Sequence, residues 1–68
     1  MFDFAKWLTD TRQEMGMTQT QLGSRLILDG VTVSKYERGV TVPNFHTVNR
    51  IVDALGYEIR IEKKGVEK

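Results

Sequence analysis

The spacing of apolar residues divides the chain into four helical stretches and one stretch of a different period. Phe4, Leu8, Thr11 and Met15 fall on one stripe with Trp7 beside it, while Lys6, Asp10, Gln13 and Glu14 face outward. That three-to-four spacing predicts a first helix over residues 2–15, capped by Asp3 and stopped at Gly16. Thr18 followed by Gln21 is a capping box, in which a hydroxyl and an amide each take a backbone donor at the helix start. Leu22 and Leu26 follow one turn apart, so a second helix runs from Thr18 or Gln19 to about Ile27. Leu28, Asp29 and Gly30 supply a turn, a capping side chain and a pliable backbone. Val33 and Tyr36 repeat the inward spacing on a third helix, which Gly39 can end. Beyond Pro43, Asn44 caps a fourth helix whose stripe is Phe45, Val48, Ile51, Val52 and Leu55, ending at Gly56.

After Gly56 the period drops to two. Tyr57, Ile59 and Ile61 alternate with Glu58, Arg60 and Glu62, which predicts a strand over residues 57–62. A lone strand leaves its backbone donors and acceptors unpaired, and nothing else in the chain reads as a strand. The simplest partner is the same strand of a second copy, antiparallel across a two-fold axis, with Tyr57, Ile59 and Ile61 as dimerisation residues. Glu58, Arg60 and Glu62 then form cross-strand charge pairs. The plainer alternatives are a strand laid on its own domain or a frayed tail. Residues 63–68 read as a polar tail to a single domain of residues 1–62.

Sixty-eight residues make one small domain, whose limited core benefits from a partner subunit. There is no cysteine, hence no disulfide or thiolate chemistry, which fits a reducing compartment. No apolar run approaches membrane-spanning length, and Asp3 stands where a leader would carry basic residues, so the expected setting is soluble and cytoplasmic. The lone histidine, His46, falls on the outer side of the fourth helix without a second ligand at helical spacing. With no glycine-rich phosphate loop and no carboxylate cluster, the pattern predicts no catalytic residue, no metal site and no cofactor; an enzyme is not expected. The net charge is only +1, so an anionic partner must be met by one face of the molecule and not by its bulk charge.

Such a face exists on the third helix. Once Val33 and Tyr36 turn inward, Val31, Thr32, Ser34, Lys35 and Arg38 remain outward as a small, polar, basic edge that fits a DNA groove. The series Thr18-Gln19, Leu22, Leu26, Thr32, Val33, Ser34, Tyr36, Glu37, Gly39 and Pro43, with Leu55-Gly56 downstream, resembles the helix-turn-helix domain of phage lambda-type repressors and Cro proteins. The likeness covers residues 4–56. It implies a mainly α, four-helix domain; many members continue into a fifth helix where the period of two here predicts one C-terminal strand pairing across a dimer, and similar strands occur in antitoxin-type members of the family. It also implies an ion pair between Arg12 and Glu37 that clamps the first helix to the third. Further, it implies phosphate contacts at Gln19 and at the loop after the third helix. The phosphate-contacting candidates are Thr18, Gln19, Arg38 and Thr41, and the base-contacting candidates are Gly30, Val31, Thr32, Ser34 and Lys35.

Two positions depart from the family pattern. Gly23 stands where alanine is usual, and Ile27 where a glycine commonly provides a left-handed turn. A β-branched residue is strained in that conformation. The turn is therefore expected to shift onto Asp29 or Gly30, with the third helix starting late, near Val31. The expected function is a dimeric, sequence-specific DNA-binding repressor acting on a palindromic operator. The competing reading is an antitoxin whose main ligand is a toxin protein and which autoregulates its operon. A third reading is a domain of this fold that binds only protein.

Overall fold

The computed structural model describes residues 2–64, which hold four helices: α1 (Phe4–Glu14), α2 (Gln19–Leu26), α3 (Gly30–Glu37) and α4 (Phe45–Ala54). Each begins where a side chain takes an orphan backbone donor. Asp3 Oδ1 accepts from the Lys6 amide at 3.1 Å, Asp29 Oδ1 from that of Thr32 at 2.7 Å, and Asn44 Oδ1 from that of Thr47 at 2.9 Å. At α2 the box is reciprocal: the Gln21 amide donates to Thr18 Oγ1 at 3.0 Å, and the Thr18 amide donates to Gln21 Oε1 at 2.9 Å. Caps of this kind contribute about 1 kcal/mol each.

The apolar stripes meet in one core of Leu8, Leu22, Leu26, Val33, Ile51 and Leu55, covered by Phe4, Trp7, Met17, Leu28 and Tyr36. Burying each aliphatic side chain stabilises the fold by about 1.5–3 kcal/mol, and every helix contributes at least one. Two glycines let α3 lie close to α2. A Cβ on Gly23 would stand 2.7 Å from the Leu28 carbonyl oxygen, and one on Gly30 would stand 2.8 Å from Thr20 Oγ1. The glycine found where the family favours alanine is thus explained by the backbone that crosses it.

Three expectations need correction. The turn does not shift: Ile27 itself takes the left-handed conformation, φ 59° and ψ 44°, and α3 begins at Gly30 with Asp29 as its cap. What imposes this on a β-branched residue is its surroundings. The Leu28 amide closes onto the Gly23 carbonyl at 2.7 Å, the Leu28 side chain packs on the core, and Arg50 Nη1 donates to the Leu26 carbonyl at 3.3 Å. Phe45, placed on the α4 stripe by its spacing, is 62% exposed, because the first turn of α4 runs beyond the edge of the core. Met15 likewise caps α1 at the surface instead of extending its buried stripe.

Among the described residues there is no strand; 57–64 carries no regular secondary structure. A strand needs a neighbour for its hydrogen bonds, and the described residues of one chain offer none. Tyr57 stands edge-on to Trp7 with ring centroids 5.5 Å apart, Ile59 is half-buried, and Ile61 is 88% exposed. The end of the polar tail, 65–68, lies outside the described residues.

Candidate nucleic-acid interface

The site is built on α3, which is fixed to the body from one side and open on the other. Val33 is fully buried and Tyr36 meets Phe4 edge-on, with ring centroids 6.4 Å apart. Glu37 anchors the end of the helix. Its Oε2 receives Arg12 Nε at 2.7 Å and its Oε1 receives Arg12 Nη2 at 3.2 Å, a two-point contact that suits a planar guanidinium. The Glu37 side chain is only 5% exposed. Arg12 uses a further donor, Nη1, on the Met17 carbonyl at 2.8 Å, and Gln19 Nε2 donates to Glu37 Oε1 at 3.1 Å. The carboxylate thereby ties α1, the α1–α2 turn and the start of α2 to α3.

The outer edge carries the residues singled out for base contact. Val31 and Lys35 lie one turn apart and exposed; Thr32 and Ser34 are half-buried beside them. Gly30 is different, since Thr20 fills the space where its side chain would be, so only its backbone faces outward. Arg38 is exposed, with Nε donating to Ser34 Oγ at 3.1 Å. Together with Gln19 and Thr20, residues Gly30, Val31, Ser34 and Arg38 line a shallow groove between the head of α2 and α3.

The residues singled out for phosphate contact are already engaged to different degrees. The Thr18 hydroxyl oxygen accepts the Gln21 amide in its capping box and keeps its own hydrogen to donate. Gln19 spends one amide hydrogen on Glu37 and keeps the second. Thr41 is exposed, but its backbone N–H and that of Val40 donate to the Lys35 carbonyl at 3.4 and 3.0 Å, so these two loop amides close the helix instead of facing outward.

One residue with chemical potential at this edge escaped the sequence reading except as a cap. Asp29 is exposed at the head of α3, and hydrogen bonds from Thr32, aided by the charge of Lys35, hold its carboxyl below the ordinary carboxylate range. Its position one residue ahead of the outward run was the signal. Arg50, which caps α2 from α4, had none.

A helix pair joined by a tight turn, with the second helix anchored inward and a basic edge outward, defines a helix-turn-helix DNA-binding domain. The sequence profile of the family described as Helix-turn-helix matches residues 8–61, and the chain belongs to this Cro/C1-type family of DNA-binding transcriptional regulators. No curated protein and no solved structure matches the chain. No helix of the described residues is long and apolar enough to cross a membrane, and no group of potential metal ligands occurs among them.

Proposed function

We propose that the chain is a sequence-specific repressor that binds a palindromic operator as a homodimer. The supporting observation is the division of α3: Val33, Tyr36 and Glu37 hold it to the body, while Val31, Lys35 and Arg38 stand in solvent along one edge. In this reading α3 enters the major groove with its N-terminal residues against the base edges. Lys35 donates to guanine O6 or N7, Thr32 and Ser34 serve several base edges, Val31 meets a thymine methyl, and Gly30 brings its backbone close. Thr18, Gln19, Arg38 and Thr41 position the domain on phosphates, which fixes register without reading sequence. A second copy, joined through Tyr57, Ile59 and Ile61, repeats the contact about 34 Å away.

The test is selection of duplexes from a random pool by the wild-type chain, followed by Lys35→Ala. The substitution is expected to weaken binding to the selected operator by about 1–3 kcal/mol and to random DNA by much less. Equal losses on both would make Lys35 a phosphate contact.

A second reading has its own support. Phe2, Phe4, Tyr36, Val42 and Pro43 line an apolar groove of about 490 Å³ that does not involve residues 57–62, and Phe2 and Val42 are largely exposed there. An antitoxin that holds a toxin protein by this groove while binding its own operator would use both surfaces. Copurification of a larger protein encoded beside the chain, lost in Val42→Asp, supports that reading.

A further inference from the structure

The head of the recognition helix carries a negative charge where the partner is a polyanion. Duplex DNA presents one phosphate charge per roughly 1.7 Å of axis, so a carboxylate carried into its groove is repelled unless it finds a donor there. A neutral cap serves a helix as well as a charged one: asparagine, serine and aspartate are nearly equal in that role. The chain itself uses neutral caps at Thr18 for α2 and at Asn44 for α4. Capping α3 therefore does not require the charge of Asp29.

Asp29 is also placed to meet bases. It immediately precedes Gly30 and Val31, its side chain is exposed, and it lies close enough to Lys35 to feel that residue's charge. Its Oδ1 takes the Thr32 amide at 2.7 Å. A carboxylate accepts about four hydrogen bonds, so the bonds from Thr32 leave acceptor capacity outward. The bond to Thr32 also fixes the direction in which that capacity points.

Resting on the DNA-binding reading above, we propose that Asp29 is a specificity-determining residue that accepts a hydrogen bond from an exocyclic amino group in the major groove, that of cytosine N4. Adenine N6 presents the same donor chemistry at a different place on the base edge. The residue acts as a filter: a base that places an amino donor at its position is accepted, and guanine or thymine, which place only acceptors there, leave the charge unpaired. Lys35, a donor four residues beyond Val31, reads the opposite chemistry from the same edge.

The experiment compares the wild-type chain with Asp29→Asn and Asp29→Ser, both of which keep the cap, in selection from a random duplex pool and in titration with the selected and a random duplex. The expected result has two parts. The preference for cytosine at one base pair in each half-site falls by about tenfold or more in both variants, and affinity for random DNA rises several-fold as the repelling charge disappears. Adenine selected at that base pair by the wild type would move the contact to N6 and overturn the cytosine assignment. Unchanged base preferences in both variants, or an equal gain on selected and random DNA, would reduce Asp29 to a cap. A wild-type chain that selects no sequence at all would overturn the DNA-binding reading and this inference together.

Discussion

Ile27 is the residue whose conformation and chemistry disagree most openly. At φ 59° it occupies the backbone region that Gly16, Gly39 and Gly56 occupy just past α1, α3 and α4. For an L-residue that conformation costs about 1–2 kcal/mol, and the side chain recovers little of it, being 88% exposed. Ile27→Gly is therefore expected to stabilise the fold by about 1 kcal/mol, after allowance for the greater freedom of glycine in the unfolded chain. In a domain of this size that raises the thermal midpoint by about 4–8 °C, read by circular dichroism. A lower midpoint would mean that the isoleucine side chain makes a contact that offsets its strain. The residue also marks a limit of legibility. The caps at Asp3, Thr18, Asp29 and Asn44 are legible because a cap is a local bond between residues two or three apart. The turn is not, because tertiary contacts accompany it: Leu28 packs against the core and Arg50, from α4, bonds the Leu26 carbonyl.

Between elements, the Arg12–Glu37 pair ties α1 to the end of α3. Removing one member leaves the other charge buried and uncompensated, which commonly costs about 3–5 kcal/mol, whereas replacing both by apolar groups is often neutral. Glu37→Leu alone is expected to destabilise by about 3 kcal/mol in urea titration, and Arg12→Met with Glu37→Leu to recover most of it. If the double variant is as unstable as the single one, Gln19 and Met17, which also bond to the pair, carry more of the clamp than the ion pair does. The partnership of Arg12 with Glu37 came from family likeness, since residues 25 positions apart have no shared period. The four helices were legible because each stripe is periodic. Phe45 was misplaced by the same rule, because periodicity says which side of a helix a residue is on and not whether anything lies opposite.

For the whole molecule, the proposed pairing of two copies is constrained by charge and face together, which select a register. Antiparallel pairing of 57–62 with its own copy keeps apolar residues on one face only if the two-fold axis passes through a residue. An axis at Arg60 sets Glu58 against Glu62 and Arg60 against itself, both of them alignments of like charge. An axis at Ile61 pairs Arg60 with Glu62 but sets Ile59 against Lys63. An axis at Ile59 pairs Tyr57 with Ile61 and Glu58 with Arg60, leaving neither like charges opposed nor an isoleucine opposite a lysine. In the single chain Arg60 lies 3.8 Å from Glu58 and 3.5 Å from Glu62, all three well exposed, so exchanging these contacts for cross-strand ones sacrifices little. An apolar groove of about 410 Å³, walled by Trp7, Phe45, Val48, Val52 and Tyr57, lies beside the segment and is the proposed seat for such a pair. Directly opposed residues in such a ladder have Cα atoms about 4.5–5.5 Å apart, within disulfide reach. The natural chain has no cysteine to interfere. Ile59→Cys is thus expected to form a disulfide-linked dimer on mild oxidation, seen on a non-reducing gel. Ile61→Cys, whose mate would lie four residues along the ladder at about 13 Å, should remain unlinked. Linking of the Ile61→Cys variant in preference to the Ile59→Cys variant would move the axis to residue 61. A chain that sediments as a monomer would remove strand pairing as the means by which two recognition helices reach one operator.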